Sequence, residues 1–184
     1  MDPMKLCSLH EKICACQLCD LSVGRTRAVP GAGPSPATIM LIGEAPGKEE
    51  DLTGMPFMGR AGKLLDSALA KAGLHRSEVF ITSTIKCRPP KNRQPKRREI
   101  DACKPYLNSQ IVILHPKVVC LMGNTAALAV LGIQGVKSLR GQILQDIFLV
   151  TYHPAAVLRN RNLMDEFVSD LKKASETAKS SPYI

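Results

Sequence analysis

Four cysteines carry the first chemical signal. Cys16 and Cys19 are two residues apart in the intervening count, Cys87 stands alone, and Cys103 follows after fifteen residues. Thiolates so arranged can ligate a metal. A close pair plus two distant singles is unlike the two-pair zinc ribbon, although spacing alone leaves zinc open. The bland alternative, small buried hydrophobes, is weak for Cys16 and Cys19 and stronger for Cys120, which lies inside an apolar run. Cys7 and Cys14 are ambiguous, and Cys14, so close to Cys16, is a candidate substitute ligand.

Two glycine-rich blocks come next, Gly43-Glu-Ala-Pro-Gly-Lys-Glu-Glu-Asp51 and Gly54-Met-Pro-Phe-Met-Gly-Arg-Ala-Gly62. Glycine lets backbone approach a ligand closely and turns amide hydrogens inward as donors. The glycine-lysine-serine ending of a phosphate-cradling loop is missing. An ordinary tight turn with acids at a helix start fits the local pattern equally well.

Tyr152-His153-Pro154 is followed by Val157-Leu158-Arg159. A lone histidine is more often structural, but an exposed apolar pair beside a cation is what prises open a base stack. Between Cys87 and Cys103 runs Arg88-Pro-Pro-Lys-Asn-Arg-Gln-Pro-Lys-Arg-Arg98. Such runs are usually solvated surface. This one is anchored by a proposed ligand at either end, which holds its cations near the site, where gripping phosphates gives salt-sensitive binding.

These groups need a frame. Short apolar runs predict strands over 38–43, 79–82, 117–122 and 147–151. Helical spacing predicts helices over 4–21, 59–72, 123–131 and 163–178 and within 96–113. Pro89, Pro90 and Pro95 forbid regular structure before the last of these. Strands alternating with helices make a parallel sheet covered on both faces, with ligands beyond the carboxyl ends of the strands. Gly43-Glu44-Ala45, Ser83 to Arg88 and Tyr152-His153-Pro154 each follow a strand, so a single site is expected.

The chain of 184 residues, 45% hydrophobic and 22% charged, suits one globular domain over 1–184 with no internal repeat. Twenty-five Lys and Arg against 16 Asp and Glu give a formal charge of +9, which favours an anionic partner without telling DNA from RNA or an acidic membrane. No signal-peptide pattern and no bilayer-length apolar run are found, so a soluble cytoplasmic protein with no membrane partner is expected. There, 7 cysteines read as ligands or core rather than disulfides. Nothing demands more than a monomer.

Taken in order, GEAPGKEED, GMPFMGRAG, KCRPPKNRQP and TYHPAAVLRN resemble the motifs of the family 4 uracil-DNA glycosylases, the iron–sulfur type, over about residues 16–171. The resemblance implies an α/β fold, a three-layer α/β/α sandwich around a four-stranded parallel sheet. It implies a [4Fe-4S] cluster held by Cys16, Cys19, Cys87 and Cys103 in a structural role. It also implies that backbone at Gly43, Glu44 and Ala45 lines a uracil pocket, that Phe57 stacks on the flipped base and that His153 faces pyrimidine O2. Residues 155–159 correspond to the loop that fills the gap left in the duplex.

One position departs. Counting back from Cys87, Ser83 stands where the family carries asparagine. An amide can donate to uracil O4 while accepting from N3–H, whereas a shorter hydroxyl with one proton cannot clamp both directly. Base selectivity is therefore expected to change: a bridging water restores it, or the pocket accepts other deaminated bases.

The expected substrate is uracil-containing DNA, single- or double-stranded. Arg88, Lys91 and Arg93, helped by Lys86 and Arg159, hold the strand; Leu158 or Val157 wedges into the stack and the nucleotide flips. His153 and Glu44 are the expected catalytic residues. A neutral imidazole donates to O2 as charge develops there, and Glu44, or Glu50 or Asp51, orients water or steadies the sugar cation. No lysine is placed to form an imine, so a monofunctional glycosylase of base excision repair leaves an abasic site. Two rivals remain: a non-catalytic iron–sulfur accessory module that binds nucleic acid, favoured by the Ser83 change, and an iron–sulfur electron carrier, for which neither the basic surface nor His153 is needed.

Overall fold

A computed structural model describes residues 3–180. Its helices are α1 (Pro3–Cys14), α2 (Leu21–Gly24), α3 (Lys48–Thr53), α4 (Arg60–Lys71), α5 (Arg97–Leu114), α6 (Asn124–Leu131), α7 (Val136–Leu139), α8 (Pro154–Arg159) and α9 (Met164–Ser180). The strands are β1 (Ile39–Gly43), β2 (Val79–Ser83), β3 (Val118–Met122), β4 (Ile143–Leu144) and β5 (Phe148–Thr151), joined in the order β2-β1-β3-β5-β4.

Four strands run parallel, within a residue of the expected bounds. The expectation of a four-stranded sheet is corrected by β4, which pairs antiparallel with β5 at one edge. A three-residue turn, 145–147, makes this possible: Gln145 and Asp146 both take positive φ, 46° and 66°, the geometry that folds a hairpin tightly. Gln-Asp is not the glycine-bearing pair that signals such a turn, and a two-residue strand has no readable period.

Alternation along the strands sends Leu41, Ile81, Cys120 and Leu149 to one face, under α4, α8 and α9. Met40, Ile42, Phe80, Leu121 and Val150 go to the other, under α1, α5, α6 and α7. With both faces covered, no strand position can be polar at low cost, which is why the strands read as continuous apolar runs.

The first helix ends seven residues earlier than the sequence suggests. Leu6, Leu9 and Ile13 form its buried stripe, and no apolar residue continues the stripe one turn on. Cys16 and Cys19 consequently lie in the turn before α2. The glycine-rich block expected as a turn contains α3, with Glu49, Glu50 and Asp51 in its first turn and Gly54 closing it at φ 74°. Because β1 has β2 on one side and β3 on the other, the chain reverses direction across the sheet there, and the crevice at the carboxyl ends of these strands is the natural ligand position.

Candidate active site

A cavity of about 300 Å³, near the small end for ligand pockets, opens at that crevice. Glu44 and Ala45 reach it from the end of β1, Ser83 from the end of β2, Phe57 from the loop before α4, and His153 from the turn between β5 and α8. The sequence-derived convergence on one site is therefore present.

Two glycines set the position of Phe57. Its backbone is left-handed at φ 53° and it is buried. A Cβ on Gly62 would stand 1.7 Å from the Phe57 carbonyl oxygen, and a Cβ on Gly43 would stand 2.5 Å from Phe57 Cζ. Neither overlap is tolerable, so glycine at both places is a steric requirement of this ring position. The Phe57 ring lies 5.7 Å from the His153 ring, centroid to centroid, tilted by 35°.

His153 is the N-cap of α8, its Nδ1 accepting from the Ala155 amide at 3.1 Å. A neutral imidazole with Nδ1 as acceptor carries its proton on Nε2. That nitrogen faces Gly43, 3.4 Å from where a Cβ would stand. Burial, assisted by Arg159, lowers the pKa to about 4. At neutral pH the ring therefore presents an uncharged N–H donor to the cavity.

The three candidate acids have different surroundings. Glu50 accepts the Gly47 amide on one oxygen and the Met58 and Gly59 amides on the other, fastening the loop that carries Phe57. Asp51 is buried and accepts the Thr26 amide. Among the described residues the Glu44 carboxylate receives one hydrogen bond, from the Thr125 hydroxyl, and Glu44 is partly exposed at the cavity wall. Ser83 is buried there, paired in register with Gly43, and its carbonyl accepts from Lys86 Nζ at 2.7 Å.

Two expectations are corrected. Lys86 is not on the surface: it is 1% exposed, and its ammonium also donates to Thr82 Oγ1 and Gln110 Oε1. Burial pushes its pKa down to about 7, and it props the end of β2 from beneath instead of meeting phosphate. Val157 is not an exposed wedge. It is 0% exposed, because residues 154–159 are helical and place Pro154 and Val157 inward together. Leu158 stays partly exposed and Arg159 fully so.

The basic loop is less free than its composition suggests. Arg88 donates to Asn92, and Arg93 forms a two-point pair with the buried Glu99, at 2.6 and 2.9 Å. Arg97 pairs with Asp101 and Arg98 with Asp20. Lys91 is exposed, in a left-handed pair with Asn92, and Asn92 and Arg93 border the cavity.

Cys16, Cys19, Cys87 and Cys103 line one further cavity, together with Arg25, Lys86 and Tyr106. Arg25 Nη1 donates to Cys87 Sγ at 3.0 Å, and the Leu18 amide to Cys16 Sγ at 3.5 Å. Burial raises the Cys87 thiol and lifts that of Cys103 to about 11. Hydrogen bonding to Cys16 raises Tyr106 to about 12. Among the described residues, no three His, Cys, Asp or Glu side chains are grouped tightly enough to hold a single metal ion; the four sulfurs are spread around the wall of one cavity. Cys7 and Cys14 are exposed and do not line it, and Cys120 is core, its thiol pushed up to about 12. Arg25, Tyr106 and Thr125 were invisible to motif reading, since none has a spacing relationship to the residue it serves.

The sequence profile of the uracil DNA glycosylase superfamily matches residues 30–172. A type-4 uracil-DNA glycosylase of Pyrobaculum aerophilum is 45% identical, the match covering 91% of this chain and 92% of that protein. One from Archaeoglobus fulgidus is 40% identical over 90% of this chain and 89% of its own. One from Thermotoga maritima is 38% identical over 93% of both.

Proposed function

The chain belongs to the uracil DNA glycosylase superfamily, alongside its type-4 members, and on that premise we propose that the cavity between Phe57 and His153 excises uracil from DNA. The single observation that carries this is the convergence of Glu44, Phe57, Ser83 and His153 on one cavity, with the Phe57 and His153 rings meeting over Gly43. That arrangement suits a flat heterocycle that must gain negative charge without being offered a proton outright.

The reaction runs as follows. An extruded nucleotide places its base on Phe57, whose ring supplies a flat apolar surface. The glycosidic bond breaks with its electron pair passing to the base, and the charge spreads to O2. His153 Nε2–H donates there, stabilising the charge where it appears. Water adds to the sugar cation at C1′ and gives up a proton to solvent, from which the departing uracil anion takes one. Glu44 is the acid that orients this water, since both oxygens of Glu50 hold amides and Asp51 is turned to Thr26. The products are free uracil and an abasic site, with no covalent enzyme intermediate. Leu158 and Arg159 are the residues of α8 both long enough and exposed enough to fill the gap in the stack.

Cys16, Cys19, Cys87 and Cys103 would hold a [4Fe-4S] cluster. An all-sulfur donor set, N–H donors to sulfur from Arg25 and Leu18, and apolar walls from Leu21, Ile85 and Ile100 fit a soft iron–sulfur group. When bound, the cluster ties the turn after α1 to β2 and α5 and supplies no step of the hydrolysis. Free cysteines in this number suit a reducing, cytoplasmic setting. No helix among the described residues is long and apolar enough to cross a membrane, and we take the working unit as a one-domain monomer on DNA.

Incubation with a uracil-containing oligonucleotide tests the reading. Strand breaks are expected only after alkali. An intact strand after alkali would leave the nucleic-acid-binding accessory module as the better account, and breaks without alkali would contradict monofunctional chemistry.

A further inference from the structure

Half of the cations of the 88–98 loop are engaged with acids: Arg93, Arg97 and Arg98 are in ion pairs, while Arg88, Lys91 and Lys96 are in none among the described residues. A second group of cations adjoins the base cavity at Arg60. Arg60, Lys63 and Arg161 surround Ser67 and Leu158 in a second groove, between the start of α4 and the junction of α8 with α9. All three are exposed, none forms an ion pair among the described residues, and no acidic residue lines the groove.

Two features connect this groove to the chemistry. Arg60 borders both the groove and the base cavity, so the two adjoin at this side chain. Leu158, the remaining wedge residue, forms part of the groove wall. A base seated between Phe57 and His153 is tethered by its sugar to two phosphates, and the backbone must leave the cavity along an adjoining surface. A polyanion leaving past Arg60 meets Lys63 and Arg161 next.

We propose that this groove is a phosphate-binding site for the strand that carries the extruded nucleotide, with Arg60, Lys63 and Arg161 as its contacts. The inference rests on the glycosylase reading and deepens it by saying where the substrate strand runs. The ion-paired Arg93, Arg97 and Arg98 of the long basic loop then have an architectural task, and its phosphate contacts fall to Lys91 and its unpaired neighbours.

The test is the salt dependence of binding by otherwise identical His153→Ala proteins, which do not consume the probe. The probe is a uracil-containing oligonucleotide, single-stranded and as a duplex. Lys63→Gln and Arg161→Gln, both exposed and expected to fold normally, should each lower the slope of log affinity against log salt by about 0.9 on duplex and about 0.7 on single strands. Lys137→Gln, on the far face of the sheet, should leave both slopes alone. A loss confined to duplex would move the contacts to the complementary strand and overturn the proposal, as would slopes that do not change. Failure of the two readings is separable. Wild-type protein that excises uracil with a slope indifferent to these substitutions removes the groove alone. Groove-dependent binding without any excision removes the enzymatic reading alone.

Discussion

Phe57 and His153 meet over Gly43, the single residue whose missing side chain lets the phenyl ring come within contact of the β1 backbone. Adding one methyl group there would place carbon 2.5 Å from Phe57 Cζ and 3.4 Å from His153 Nε2. Gly43→Ala is expected to displace the Phe57 ring and to crowd His153, and a displacement of about 1 Å at such a site costs on the order of 100-fold in rate. The expected result is a folded protein with kcat reduced to that extent. Unchanged kcat would mean that the base does not sit on these rings.

The protonation state of His153 gives a pH prediction. Its pKa in the folded protein is lowered to about 4, below the ordinary 6.5. Between those values the unfolded chain takes up a proton that the folded protein does not, so this group's contribution to stability is complete above 6.5 and declines as pH falls toward 4. Excision should show no ionisation of His153 between pH 6 and 8. A proton NMR titration of the ring should have its midpoint near 4. A midpoint near 6.5, mirrored in kcat, would contradict the neutral donor.

Ser83 offers a test of base reading. Its buried position on the cavity wall, opposite Gly43 in register, places it where the base edge would lie. Ser83→Asn supplies a donor and an acceptor in place of one hydroxyl, and the ratio of kcat/KM for uracil over hypoxanthine or xanthine should rise by about tenfold or more. Selectivities of the two proteins that overlay would show that position 83 does not read the base.

Arg25 is expected to matter to the cysteine site rather than to DNA. Its guanidinium donates to Cys87 Sγ and to the Cys14 carbonyl, crossing from the turn after α1 to the segment after β2. Arg25→Ala should speed bleaching of the iron–sulfur absorbance by a chelator about 10- to 100-fold, the usual range for a lost partner of a ligand. Equal bleaching rates would remove Arg25 from that role.

The frame of this protein is written in its strands. Runs such as Ile39 to Gly43 are buried at every position, and a continuous apolar stretch ending in glycine has few other readings. The site residues that end those strands were legible for the same reason, because a parallel sheet leads polar residues to one rim. Val157 and Lys86 were misread for lack of information a linear pattern carries. Whether 154–159 is loop or helix decides which way Val157 points. Lys86 lies in a segment whose charges look solvated, yet three oxygens from β2 and α5 surround its ammonium. The engagement of Arg93 with Glu99, six residues on, likewise depends on a turn that only the folded chain defines.

The most direct measurement compares wild type with His153→Ala in single-turnover excision of uracil, with affinity for the same oligonucleotide measured in parallel. Loss of one charge-stabilising donor costs about 10²- to 10³-fold in rate, and affinity should stay near the wild-type value. Excision at the wild-type rate by His153→Ala would contradict the account.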